Sequence, residues 1–461
     1  MLTPKSIVAS LNVCSKQKDL RKGIQIHYHI LKKGFLQKDI YIGSALVGLY
    51  AKCGSLTKAQ EVFEQLPIRN VVTWSTLIMG YANYGHSIEA IHCYEKMGLE
   101  GIHPNGVTFV CTLKACSNIG AIEKGQETHS HIARGLVDQC VSTKNSLVDM
   151  YAKCGEIAKA QEVFDEIQTR DVISWTALMS GHTQHGDCLK AILGLDRMHS
   201  EGICPNSFTY VCALKTCGSI GLVEKSKEIH ARIVRDDLLL ESDDLVASVL
   251  VDAYAKCGSL EDAQEIFENL LFRNVVSWTA LIGGYAEHGP FEEALRFFSQ
   301  MHEDGVSPND VSFACTLKAC GNLRAINKGH EIHANVVLTG SGSELLVGNS
   351  LIDMYARCGS LVEADYVFHK LDSRNIVSWT TLIGGYAEGG YGLDALRYFD
   401  QMKSEGVQGN AFTLACALKA CGSIGSIKRG QEIHFEIAQN GYDHDLSLAN
   451  TLIGMYAKCG S

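Results

Sequence analysis

The chain has 461 residues, 46% of them hydrophobic, and carries 41 basic against 51 acidic side chains, a formal charge of −10. No uninterrupted apolar run reaches the roughly 18 residues that a membrane span needs, and an acidic balance does not advertise a nucleic-acid binder. Length alone would allow about three ordinary domains, but a regular internal period overrides that prior, because repeat arrays grow in one dimension.

The first 33 residues carry Lys5, Lys16, Lys18, Arg21, Lys22, Lys32 and Lys33 against Asp19 alone, the charge pattern of an organelle transit peptide. The same stretch already reads as repeat sequence, so no dedicated targeting segment is expected in it, and the start looks late. At Tyr50 the chain reaches YAKCG, which returns at Tyr151, Tyr254, Tyr355 (as YARCG) and Tyr456, spaced 101, 103, 101 and 101 residues apart.

Each period resolves into three helical hairpins of unequal length. The expected units are 4–39, 40–70, 71–105, 106–140, 141–171, 172–206, 207–243, 244–274, 275–309, 310–344, 345–375, 376–410, 411–445 and a partial 446–461. Apolar spacing of three and four in SWTALIGGYAEHG and FEEALRFFSQM reads as two amphipathic helices. In YAKCG, tyrosine and cysteine are expected to face the interior while glycine supplies the left-handed turn. Ser360 with Glu363, and more weakly Ser259 with Asp262, suggests a capping box on the next helix. Trp74, Trp175, Trp278 and Trp379 share one place, four residues into a 35-residue hairpin, which favours core packing over ligand stacking. One hairpin cannot bury its apolar face alone; some fourteen stacked give an all-α chain, an α-solenoid superhelix with a continuous core.

Eighteen cysteines suggest a metal or disulfide framework until they are placed. Five sit in the YAKCG corners and eight form pairs five apart, with no C-x-x-C anywhere. Buried free thiols in a reducing compartment account for them. His199-Ser200-Glu201 followed by Cys204-Pro205 matches half of a zinc deaminase signature, H-x-E, but lacks the second cysteine pair. HEIH at His330–His333 misses the H-E-x-x-H spacing of zinc hydrolases and reads as helix surface. No metal, cofactor or catalytic residue is expected, and the chain is not expected to be an enzyme.

The alternating 35-, 35- and 31-residue units, with VSWTALIGGYAEHG, LKACGSIG, GxEIH and LxDMYAKCG, resemble plant pentatricopeptide repeat proteins of the PLS subclass, whose P, L and S motifs have these lengths. Tetratricopeptide scaffolds, which bind peptides, share a Trp, a Gly-Tyr pair, an Ala and a Phe; the short 31-residue units argue against them. The resemblance implies that the fifth and last residues of a P or S motif address one base of single-stranded RNA, with an apolar second residue packing between bases. The pairs are Ser44 with Asn70, Ser75 with Asn105, Thr176 with Asn206, Ser248 with Asn274, Thr279 with Asn309 and Thr380 with Asn410, all favouring adenine. Asn145 with Asp171 matches uracil, and Asn349 with Asn375 prefers cytosine over uracil. The P-motif wedges are Val72, Ile173, Val276 and Val377. The L motifs carry Val8, Val110, Val211, Ala314 and Ala415 at the fifth position and read as spacers, so the implied RNA is A-A-N-U-A-N-A-A-N-C-A. Asparagine and serine are also common helix N-caps, which is the competing reading of any single pair.

Many PLS proteins continue into E motifs and a deaminase-like DYW domain. This chain stops within an S motif, so the resemblance implies a specificity role in organellar C-to-U editing. Deamination would then come from a partner in trans or from a lost C-terminus; transcript stabilisation or splicing support is the nearest alternative. The expected partner is single-stranded RNA in an organelle, the mitochondrion ahead of the chloroplast, with neither DNA nor membrane involved.

Overall fold

The computed structural model describes residues 4–37, 39–135, 140–236, 244–340, 345–442 and 444–460. Among these, twenty-seven α-helices and one short 3-10 turn at Phe35–Gln37 account for the regular structure, and no strand occurs. No helix there is long and apolar enough to cross a membrane. The chain divides into two compact units, 1–216 and 217–461.

In the first unit the helices come in antiparallel pairs, such as Ile40–Lys52 with Leu56–Glu64 and Val71–Asn83 with Ser87–Leu99. The first helix of each pair also packs on the first helix of the next, through Gly106–Ile119, Val141–Lys153 and Val172–Gln184. The second unit repeats this from Asp244–Lys256 through Val275–His288, Asp310–Leu323, Leu345–Arg357, Ile376–Glu388 and Ala411–Ile424 to Leu446–Lys458. Within each unit the first helices thus form a continuous layer and second helices lie against it, the architecture of an α-solenoid.

The 31-residue units are short because their second helix is short. Leu56–Glu64, Ile157–Asp165 and Leu260–Glu268 have nine residues, where Ser87–Leu99 has thirteen. Past the shortened helix the chain builds a repeated column. Arg69, Arg170, Arg273 and Arg374 lie 4.7–5.1 Å over the rings of Phe63, Phe164, Phe267 and Phe368. Each phenylalanine in turn meets Trp74, Trp175, Trp278 or Trp379 edge-on at 4.6–4.7 Å. All four tryptophans are buried, so they are core and not a stacking surface. Such edge-to-face pairs add about 0.5–1.5 kcal/mol beyond the area they bury.

The glycine, tyrosine and cysteine of the YAKCG corner each have a distinct role. The glycine takes positive φ, from +78° at Gly54 to +93° at Gly155. The tyrosine hydroxyl bonds a histidine Nδ1 of the preceding GxEIH helix: His27–Tyr50 at 2.8 Å, His129–Tyr151 at 2.9 Å, His230–Tyr254 at 3.2 Å, His333–Tyr355 at 2.7 Å and His434–Tyr456 at 3.1 Å. Burial holds His27, His129, His230 and His333 below the ordinary imidazole range and pushes Tyr254 and Tyr355 up to about 12. His333 is therefore half-buried and bonded, while His330 is exposed as expected. The corner cysteine is half-buried, and its thiol points to a backbone carbonyl: Cys154 to Cys116, Cys257 to Cys217, Cys358 to Cys320 and Cys459 to Cys421, at 3.6–4.0 Å. None of the eighteen cysteines is in a disulfide, but only eight are buried, and Cys140 and Cys204 are exposed.

The capping boxes are elsewhere than the serine-glutamate spacing suggests. Ser360 makes no side-chain cap bond, and Ser259 donates to Asp262 Oδ2 at 2.6 Å instead of accepting from the backbone. The helices that do carry boxes are the first helices, and their caps are the residues expected to read bases.

Candidate nucleic-acid interface

All eight last-position residues cap the helix that comes after them. Asn70, Asn105, Asp171, Asn206, Asn274, Asn309, Asn375 and Asn410 each accept, through Oδ1, the backbone N–H three residues on, at 2.8–3.0 Å. A cap of this kind stabilises a helix by roughly 0.5–2 kcal/mol. It also sets the orientation of the side chain. With Oδ1 committed to the backbone, an asparagine keeps only its Nδ2 donor for another partner, whereas Asp171 keeps a second carboxylate oxygen, an acceptor. Capping and base reading are therefore compatible, since the first decides which group is left for the second.

Five of the eight predicted pairs are in hydrogen-bond contact. Ser75 Oγ donates to Asn105 Oδ1 at 3.3 Å, and Asn145 Nδ2 donates to Asp171 Oδ1 at 3.0 Å. Asn274 Nδ2 donates to Ser248 Oγ at 3.2 Å, Thr279 Oγ1 to Asn309 Oδ1 at 3.4 Å, and Asn349 Nδ2 to Asn375 Oδ1 at 3.5 Å. Ser44 instead donates back to the Ile40 carbonyl at 2.9 Å. Thr176 and Thr380 bond the next motif's Thr209 and Thr413, at 2.9 and 2.7 Å. The fifth residues are recessed: Ser75, Asn145, Ser248 and Thr380 are 2–6% exposed, whereas the last residues are half-buried or exposed. In the five contacting pairs the last residue is thus the more accessible member, and the fifth braces it. Burial opposes ionisation of Asp171, but bonds from Ser174 and Asn145 outweigh it and hold the carboxyl below its usual range.

The second residues stand clear of the core. Val72, Ile173, Val276 and Val377 are 50–60% exposed, large apolar groups left in solvent beside the capped helix starts. The sequence reading missed that the row continues through the other motifs. Tyr41, Val107, Phe208, Leu245, Val311, Leu346 and Phe412, each second in its motif, are exposed as well. The signal was present in the longer motifs, where an apolar residue precedes a buried hydroxyl at Val72, Val107, Ile173, Phe208, Val276, Val311, Val377 and Phe412. Glu201 of the half-deaminase pattern is occupied structurally, pairing with Arg170 at 3.1 Å and accepting from Trp175 Nε1 at 3.3 Å. Among the described residues no group of three His, Cys, Asp or Glu is placed to hold a metal.

A regular row of polar caps flanked by exposed wedges, repeated on successive first helices, is accompanied by family matches over the same residues. The model of the PPR repeat family matches 69–118, 170–219, 273–322 and 374–423, and a second PPR repeat model matches 44–71, 142–172, 246–275 and 349–376. The chain belongs to the pentatricopeptide repeat family. A chloroplastic pentatricopeptide repeat-containing protein of Arabidopsis thaliana is 36% identical over 417 residues, covering 90% of this chain and 67% of its own. A mitochondrial one from the same plant is 32% identical over 457 residues, 99% of this chain and 44% of its own. The chain thus spans about half to two thirds of the length of the curated relatives it matches. Among solved structures, the maize pentatricopeptide repeat protein PPR10 aligns with a TM-score of 0.64 at 19% identity, over 99% of this chain and 71% of that one. PPR10 in complex with an 18-nt psaJ RNA element aligns at 0.52, with 17% identity over 99% and 77%. These two likenesses are of fold.

Proposed function

We propose that this pentatricopeptide repeat chain binds single-stranded RNA sequence-selectively, one base per P or S motif, as a PLS-type specificity factor for organellar RNA processing such as C-to-U editing. The observation that carries the reading is the row of capped last-position residues, each keeping a donor or acceptor that the cap does not use, which in Asn274 braces on Ser248, beside exposed apolar second residues. Unpaired bases expose their Watson–Crick edges and flat faces, which such a row can bond and stack. The remaining Nδ2 of a capping asparagine suits adenine N1, an acceptor. The free oxygen of Asp171 suits the N3–H of uracil. The relatives' names, chloroplastic and mitochondrial, support an organelle without choosing between the two. Maize PPR10, solved with an RNA element, supports RNA as the ligand class. Deamination would come from a partner in trans or from sequence outside this chain; support of transcript stability or splicing would use the same interface.

The test is binding to A-A-N-U-A-N-A-A-N-C-A against the same RNA with every A replaced by G. The expected result is preference for the first; equal affinity rejects the reading. Asn145→Thr, with Asp171 retained, should shift preference at the fourth base from U towards G. An unaltered preference would mean that the register is wrong.

A further inference from the structure

The carboxyl-terminal ends of three neighbouring first helices, Pro4–Gln17, Ile40–Lys52 and Val71–Asn83, border a cleft of about 470 Å³. Lys16, Lys18 and Lys52 line it together with Ser15, Asn83 and Tyr84. None of the three lysines has an acidic partner among the described residues. Lys114 reaches the rim by donating to Asn83 Oδ1 at 2.9 Å, a neutral acceptor that leaves its charge uncancelled. Asp19, the nearest acid in sequence, commits Oδ1 to capping the helix Leu20–Lys33 through Lys22 N–H. Tyr84 fixes the wall by donating to the Lys52 carbonyl at 2.7 Å.

The chain supplies its own controls. Where Lys52 recurs as Lys153, Lys256 and Arg357, an aspartate four residues earlier pairs with it at 2.7–2.9 Å: Asp149, Asp252 and Asp353. In the first unit of the series that aspartate is Gly48. Where Lys114 recurs as Lys318 and Lys419, Glu287 and Glu388 stand in place of Asn83 and pair with it. Lys16 and Lys18 recur as Asn118 and Gly120. Single departures recur elsewhere, since Lys458 follows Gly454, Lys215 is matched with Gln184 and Lys18 recurs as Arg324, but only at this place do they coincide, each adding positive charge or removing negative charge. The same bias holds at larger scale: residues 1–216 carry 22 basic and 19 acidic side chains, whereas 217–461 carry 19 and 32. Three helix carboxyl ends contribute about half a negative charge each and Asp19 one more, together too little to cancel four lysines.

We infer that this cleft is a phosphate site, and that the chain concentrates its electrostatic hold on the RNA backbone there instead of spreading it along the array. This rests on the RNA reading for its ligand, though the site would take any phosphate-class anion. Lys52 lies eight helical residues beyond Ser44, about 12 Å along the axis, so bases would be met at one end of the first helices and backbone at the other.

The experiment measures RNA affinity from about 50 to 200 mM salt for the wild type, for Lys16→Gln/Lys18→Gln/Lys52→Gln, and for the control Lys256→Gln/Lys318→Gln/Lys419→Gln. Each phosphate contact on a single strand contributes about 0.7 to the slope of log affinity against log salt. The first triple should flatten that slope by about 2 and leave the A-over-G preference intact; the control should leave the slope in place. An unchanged slope in the first triple, or an equal flattening in the control, overturns the inference. Pyrophosphate supplies an arm independent of RNA: it should raise the melting temperature of the wild type and not of the first triple. If wild type responds to pyrophosphate but binds no RNA, the RNA reading falls and the anion site stands. No response to pyrophosphate refutes the site.

Discussion

Alanine at Gly283 and alanine at Gly284, neighbours on the helix Val275–His288, should move stability in opposite directions. Either replacement gains about 0.8–1 kcal/mol from the lower conformational freedom of the unfolded chain. At Gly283 the added Cβ would lie 3.5 Å from Cys315 Sγ, an ordinary contact, so the gain survives. At Gly284 it would lie 2.6 Å from Ala255 Cβ and 3.1 Å from Ala255 Cα. Neither atom can swing away, because both are fixed to the backbone of the helix Asp244–Lys256, and separating packed helices typically costs about 1–3 kcal/mol. The net expectation is a stabilisation of about 1 kcal/mol for Gly283→Ala and a destabilisation of about 1 kcal/mol for Gly284→Ala. Urea unfolding with matched m-values reads both. If the two variants shift the midpoint in the same direction, close approach of the first helices is not what selects glycine here. The same contact recurs as Gly80 on Ala51, Gly181 on Ala152 and Gly385 on Ala356, at 2.5–2.8 Å; the alanine of YAKCG is there to meet it.

Other outcomes concern the caps and the histidines. Asn375→Ala should cost about 0.5–2 kcal/mol through loss of the cap on the helix Ile376–Glu388, and Asn375→Asp should recover most of it, by urea unfolding. His27, His129, His230 and His333 have folded-state pKa values below the ordinary 6.5, so the unfolded chain binds more protons. Stability should be complete above pH 6.5 and fall as the pH drops through the lowered values. An unfolding free energy flat between pH 7.5 and 5.5 would refute the histidine–tyrosine account.

Much of the architecture was legible because it depends on spacing. The hairpin lengths, the glycine turns and the buried tryptophans all derive from periodicity and from residue types with few alternative uses. What stayed hidden depends on which of two equivalent neighbours a side chain meets. A serine three residues before a glutamate reads as a capping box, yet Ser259 bonds Asp262 and Ser360 caps nothing. The histidine of GxEIH and the tyrosine of YAKCG lie more than 20 residues apart, and no local pattern announces that they bond. Within the candidate interface, the pairing of Asn145 with Asp171 was readable from register. The recession of the fifth residues was not, because burial of a small hydroxyl depends on the neighbouring helix.

Because the residue that would read one base also starts the helix of the next motif, recoding cannot be local. The side chains open to substitution at Asn105 or Asp171 are limited to those that can still terminate a helix, chiefly Asn, Asp, Ser, Thr and Gly. A change outside that short alphabet would loosen the neighbouring hairpin along with the targeted preference. Grammar and vocabulary in this array share the same letters.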